Sequence, residues 1–113
     1  MVLVKTITIV ELEQMAQRMY GELVKGVVDT NKNLLVLDAE MHADEEALLL
    51  EQGSHQDDLW GINLYPAKFG TDDFVEFDSM INIRPSQHNR SRSVEDPSIR
   101  AKIIELVNKK VKP

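Results

Sequence analysis

Residues 24–40 read VKGVVDTNKNLLVLDAE, and the reading of this stretch decides the fold. Two β-branched and aliphatic runs, VKGVVD and LLVLDAE, are separated by Thr30, Asn31, Lys32 and Asn33. Short apolar runs bounded by polar turn formers predict a β-hairpin. A hairpin cannot stand alone in water, so the flanking chain must supply further strands and something to cover them.

On the N-terminal side, Leu12, Met15, Ala16, Met19, Tyr20 and Leu23 recur at the spacing of one helical face. Thr8 followed by Glu11 makes a capping box at the start of that helix, and Gly21 supplies its stop. Met1 to Ile7 is a short strand candidate ahead of it. On the C-terminal side, His42 to Gln52 predicts a second helix, with Asp44, Glu45 and Glu46 in a first turn where the helix dipole favours anions. His42 and Asp44 read as its caps. LWGINLY (59–65) and FVEFDSMINIR (74–84) then read as strands joined across a loop containing Pro, Gly and Asp, for which antiparallel pairing is the simplest connection. Asp96 and Pro97 open a last helix whose apolar stripe is Ile99, Ile103, Leu106 and Val107, leaving Arg100, Lys102, Lys109 and Lys110 mostly off it. The expectation is a single α+β domain over 1–113, an antiparallel sheet of about four strands with three helices mainly on one face. A mixed sheet is the alternative if Met1 to Ile7 joins it.

Composition narrows the function. With 113 residues, of which 42% are hydrophobic, the chain has material for one core. Cysteine is absent, which excludes disulfides, thiolate metal sites and a cysteine nucleophile and fits a reducing compartment. No apolar run approaches the roughly 18 residues of a membrane span, and Met1 to Val10 is too short an apolar run, without a cleavage motif, to read as a signal peptide. The expected location is therefore cytoplasmic, with no membrane partner. The net charge of −6 and a pI near 5.0 argue against a general nucleic-acid binder. That charge is unevenly shared: residues 1–83 hold five Lys and Arg against sixteen Asp and Glu, whereas residues 84–113 hold eight against three. An acidic body with a basic C-terminal section follows, two surfaces that attract each other within or between chains.

Three groups of residues could carry chemistry. In 74–84 the alternation puts Val75, Phe77, Ile81 and Ile83 on a core face, and Glu76, Asp78, Asn82 and Arg84 on the other with Phe74 and Met80. Together with Asn63 and Tyr65 from the neighbouring strand this makes a polar sheet face of Asn63, Tyr65, Glu76, Asp78 and Asn82. A solvated outer face would account for it. The two asparagines, a residue depleted in strands, point instead to amides that hold something. The second group is an anion site of Asn89, Arg90 and Arg92 in a mobile loop just ahead of a helix N-terminus, with Arg84 beside it at the strand end; guanidiniums and the free N–H groups of the helix end suit phosphate or carboxylate. Pairing of these arginines with the chain's own acids is the bland alternative. The third group is Glu40, His42, Asp44, Glu51, His55, Asp57 and Asp58 around the second helix, which offers metal-ligand types without an established spacing, so neither metal nor cofactor is expected.

The blocks GELVKGVVD, EMHADEEALLLEQGS, DLWGINLYP and FDSMINIRPSQHNRSRSVEDPSIR resemble a family of small prokaryotic proteins of unknown function over nearly the whole chain. The resemblance includes His42, Asp44, Glu51, Trp60, Asn63, Asp78, Ser79, Asn82, Arg84, Asn89 and Arg90 and brings no assigned role with them. Three function classes therefore stand side by side. The leading one is a binding domain for a small phosphate- or carboxylate-bearing ligand. The others are an interaction protein, as a homo-oligomer or in a hetero-complex, with Phe69, Phe74 and Met80 as its apolar patch, and a small hydrolase or nuclease-like enzyme using Asp78 or His42.

Overall fold

The hairpin lies in the middle of the sheet in the computed structural model, which describes residues 1–113. In chain order the elements are β1 (Val2–Leu3), β2 (Ile7–Thr8), α1 (Ile9–Met19), β3 (Val24–Asp29), β4 (Leu34–Leu37), α2 (His42–Glu51), β5 (Leu59–Leu64), β6 (Val75–Glu76), α3 (Pro97–Lys110) and β7 (Val111–Lys112). The main sheet has five strands in the order β1-β4-β3-β5-β6, every neighbouring pair antiparallel. Met1 to Ile7 thus adds the strand β1 to the four expected, and the sheet stays antiparallel. The parallel pair β2–β7 stands apart from it, with Ile7 opposite Val111.

The alternation along the strands divides the core. Val24, Val28, Leu35, Leu37, Trp60, Ile62 and Leu64 face α1 and α3, which contribute Leu12, Ala16, Ile103, Leu106 and Val107. Val27, Val36 and Leu59 face the other way and meet Leu49 of α2. Two helices share one face and the third covers the other, so β5 is buried along its whole length. A fully buried Leu such as Leu12 contributes about 2 kcal/mol of burial free energy, and its truncation also leaves a cavity.

The local signals act as read. Thr8 accepts from the Glu11 amide while the Glu11 side chain accepts from the Thr8 amide, and Gly21 takes the left-handed conformation (φ +84°) just past α1. The hairpin turn is held by Asp29, whose carboxylate accepts from the amides of Asn31 (2.9 Å) and Lys32 (2.8 Å) and from the Ser54 hydroxyl (2.6 Å). Asp96 caps α3 by accepting from the Ser98 amide.

Residues 74–84 are where the sequence reading fails. Only Val75 and Glu76 are strand, opposite Leu64 and Asn63. Beyond them the chain leaves the sheet and forms 3-10 turns at Met80–Asn82 and Pro85–Gln87. Ile83, assigned to the core, is exposed, and Asn82 and Arg84, assigned to the outer face, are buried. The reason lies at the open edge of β5. The Asn82 carboxamide accepts from the Gly61 amide (2.8 Å) and donates to the Gly61 carbonyl (3.0 Å), so a side chain makes the bonds a strand would have made. Two residues earlier in β5, the Leu59 carbonyl accepts from the Arg84 guanidinium. Ser79 closes directly over Gly61: a Cβ there would lie 2.5 Å from the Ser79 Cβ.

Two substitutions test this edge by urea unfolding. Asn82→Ala leaves the Gly61 amide and carbonyl unpaired inside the protein and should cost on the order of 3 kcal/mol. Gly61→Ala forces Ser79 off the strand and should cost roughly 1–3 kcal/mol. A loss below about 0.5 kcal/mol in either would refute the side-chain closure.

Candidate functional site

A cleft of about 180 Å³ opens between the start of α2 and the edge of β5, its polar lining being Lys25, His42, Asn63, Asp78, Ser79 and Arg92. Strand alternation places Lys25, since its neighbours Val24 and Val28 serve the α1/α3 core. Lys25 stands opposite Asn63, and Asn63 opposite Glu76. His42 begins α2 and shares its buried side with Glu45 and Leu49. Asp78 and Ser79 arrive because the chain leaves the sheet after Glu76. Arg92 comes back over them, its carbonyl accepting from the Ser79 amide at 3.0 Å.

The floor of the cleft holds an acceptor without a donor. Asn63 gives its amide hydrogens to Glu76 Oε1 (2.8 Å) and the Asp78 carbonyl (3.2 Å), and the Tyr65 hydroxyl donates to the same Glu76 oxygen (3.1 Å). That orientation leaves Asn63 Oδ1 buried with no partner. His42 Nε2 lies 2.8 Å from the Ile62 carbonyl. A carbonyl only accepts, so Nε2 carries the proton and Nδ1 of the neutral ring is an acceptor. Burial holds the His42 pKa below its ordinary value, against the opposing pull of the Ile62 bond and the adjoining Asn63. At the rim, Lys25 Nζ sits 4.9 Å from the centre of the Tyr20 ring and has no carboxylate within ion-pair distance. Arg92 pairs with Asp78 at 2.6 Å.

The polar face read from the sequence is therefore half assembled. Asn63, Tyr65 and Glu76 meet, and Asp78 joins them through its carbonyl, whereas Asn82 and Arg84 bond backbone. Arg84 donates to the carbonyls of Ile81 (3.1 Å), Gln56 (2.7 Å) and Leu59, and stacks 4.7 Å from the Trp60 ring. Its nearest carboxylate oxygen, on Glu46, is 4.0 Å away.

The loop of Arg90 and Arg92 is tied down from within. Asn89 is buried and donates to the carbonyls of Asn82, Ser91 and Ser93, and Glu95 accepts from the amides of Arg90 (2.8 Å) and Ser91 (2.9 Å). These bonds, that of Ser91 foremost, hold the Glu95 carboxyl below its usual range. Loop amides thus already hold a carboxylate, and at the helix start the Ser98 amide is held by Asp96. Of the four residues assigned to the anion site, Arg90 alone makes no side-chain bond, and the four do not converge.

Around α2, His42 is turned inward and does not cap: the N-cap is Met41, with no side-chain bond. No three His, Asp or Glu side chains come together in an arrangement suited to a metal ion. Phe74 is buried and Phe69 partly so, packed edge to face at 5.2 Å, which leaves Met80 as the exposed member of the apolar trio. Lys25 is in none of the groups read from the sequence, and Glu45 is read there only as serving the dipole of α2. A lysine within an otherwise aliphatic run, and a Glu at i+3 from His42 and i−4 from Leu49, are the signals that could have found them.

A model of a family described as protein of unknown function (DUF5674) matches residues 1–110. No curated protein and no solved structure matches the chain. No helix is long and apolar enough to cross a membrane.

Glu45, one turn beyond His42, is fully buried, and neither carboxyl oxygen has a hydrogen-bond partner. Burial pushes its pKa up to about 10. It is therefore a neutral acid in the folded protein, whereas the unfolded chain ionises it near 4.5. The unfolded state thus holds fewer protons above that pH, and stability falls as pH rises towards the folded-state value. His42, its pKa lowered, acts in the opposite sense below its ordinary 6.5, so the range above neutrality isolates Glu45. From about pH 7 to about pH 9 the protein should lose roughly 1.4 kcal/mol per pH unit through this group, and Glu45→Gln should flatten that slope. Urea midpoints across the range measure it, and equal slopes in both proteins would refute the assignment.

Proposed function

We propose that this chain, which belongs to the DUF5674 family of proteins of unknown function, is a small cytoplasmic domain that binds a small anionic molecule in the cleft between α2 and β5. The observation that carries this reading is the unserved acceptor on the cleft floor, Asn63 Oδ1, buried with no donor and lining the same cleft as the His42 ring. A buried acceptor without a donor costs about 1–3 kcal/mol, so an occupant that donates there recovers that cost. Lys25 adds an unpaired positive charge at the rim, where Arg92 is paired with Asp78. The matching ligand carries a carboxylate or phosphate at one end and a hydroxyl or amino group at the other. At about 180 Å³ the cleft has room for about six water volumes, so the ligand is small, or one end of a larger one. The absence of cysteine fits the cytoplasm.

One observation favours a second reading. With Nε2–H committed to Ile62, neutral His42 presents Nδ1 as a base beside the Asp78–Arg92 pair, which is the constellation a small hydrolase would need.

An NMR titration with 2-hydroxy acids, amino acids and phosphorylated alcohols tests the main reading. The amides of Met41 to Ala43 and Gly61 to Asn63 should shift to saturation, and Asn63→Leu should weaken binding by about 1–3 kcal/mol. Shifts confined to Gln87 to Ser93 would move the site to the arginine loop. No shift at millimolar ligand, with the protein folded, would reject both.

A further inference from the structure

The second basic surface is independent of the cleft. Lys5, Asn33, Lys102, Glu105, Lys109 and Lys110 line a groove of about 480 Å³ beside the C-terminal half of α3, the helix that packs on the opposite face of the sheet from α2. Three separate segments meet there. Lys102, Lys109 and Lys110 share one side of α3 at i, i+7 and i+8. Lys5 precedes β2, which the parallel pairing of Ile7 with Val111 brings to the end of α3. Asn33 comes from the hairpin turn, where it takes a left-handed conformation (φ +57°).

Glu105 neutralises Lys109 at 3.0 Å, and Lys5, Lys102 and Lys110 have no carboxylate within ion-pair distance. The dipole at the end of a helix accounts for Lys109 and Lys110. It does not account for Lys102 in the body of α3 or for Lys5 on another segment. In a chain with nineteen acidic residues against thirteen basic ones, cations spread over the surface would find acidic partners, and gathering them raises their mutual repulsion.

We infer that this groove binds a short chain of linked phosphates, such as the triphosphate of a nucleotide or inorganic triphosphate. Lysine serves phosphate as a point charge and needs no bidentate geometry, which suits ammonium groups arriving from different segments. A short oligophosphate fits the groove, whose volume equals about sixteen waters. A long polyanion would run from the groove onto the acidic remainder of the chain, where sixteen of the nineteen acids lie in residues 1–83.

Titration of the full chain with inorganic triphosphate, followed by amide shifts and calorimetry, is the test. The amides of Lys5, Asn33 and residues 102–110 should move, and affinity should fall about tenfold or more between low salt and about 0.2 M salt. Orthophosphate should bind at least tenfold more weakly. The double variant Lys5→Gln with Lys102→Gln should lose about tenfold in affinity with an unchanged melting temperature, both side chains being exposed. ATP binding equal to triphosphate identifies the phosphates alone as the ligand, and tighter ATP binding identifies a nucleotide. A single-stranded oligonucleotide binding as tightly as triphosphate would overturn the oligophosphate assignment, as would orthophosphate matching triphosphate or groove amides that stay still at millimolar triphosphate. Because the cleft reports on Met41 to Ala43 and Gly61 to Asn63, failure of either site is visible separately.

Discussion

The bonds between the Asn82 carboxamide and the backbone of Gly61 are the constraint on which the second half of the structure depends. A carboxamide has the donor and acceptor of a peptide group, so it completes an antiparallel edge without requiring its own main chain to be extended. Once a side chain has taken the edge, residues 77–84 are released from the strand and can turn. The turn brings Arg84 onto Leu59 and Trp60, sets Asn89 beneath the following loop through the Asn82 carbonyl, and carries Arg92 back over Ser79. The absence of a side chain at Gly61 permits this, because Ser79 occupies the space a Cβ would fill. The cleft is a consequence: a regular strand over 74–84 would have continued the sheet past the point where it now opens.

The parts of the fold legible in the sequence are those decided by short-range chemistry. The hairpin, the capping box at Thr8, the Asp96 cap and the alternation of β5 depend on residues within one or two turns of each other, and each stands in the structure as read. Residues 74–84 were not legible because their alternation is real and its cause is different. Asp78, Asn82 and Arg84 recur at even spacing, as an outward strand face would, yet Asn82 and Arg84 are buried donors to main-chain carbonyls. Polarity in a pattern reports that a group needs hydrogen-bond partners and does not say whether water or backbone supplies them. The same ambiguity governs the arginine loop, read as offering its guanidiniums to an outside anion, whereas its own amides bind an internal one, Glu95.

The site divides along the same line. Asn63, Tyr65 and Glu76 were placed together correctly because two paired strands bring them together. His42 was assigned to a cap because a polar residue at a helix start is read as one, and its inward turn depends on where α2 docks, a tertiary fact. Lys25 escaped notice inside an aliphatic run. Glu45 was read as serving the helix dipole, and the packing of α2 on β3 and β4 puts it in the core as a neutral acid.

The parallel pair β2–β7 joins the beginning of the described chain to its end, Ile7 against Val111, across nearly the whole sequence. Contacts of such separation are entropically expensive to close, and they form late unless the intervening structure has already drawn their ends together. During synthesis the same fact becomes an order of events. The five-stranded sheet and α2 are complete once residue 76 has emerged, but β2 has no partner until β7 leaves the ribosome, and the apolar side of Ile7 must wait. Val111 and Lys112 are thus the clasp of Ile7 and Thr8, and a nascent chain halted before them would hold its sheet with one seam still open.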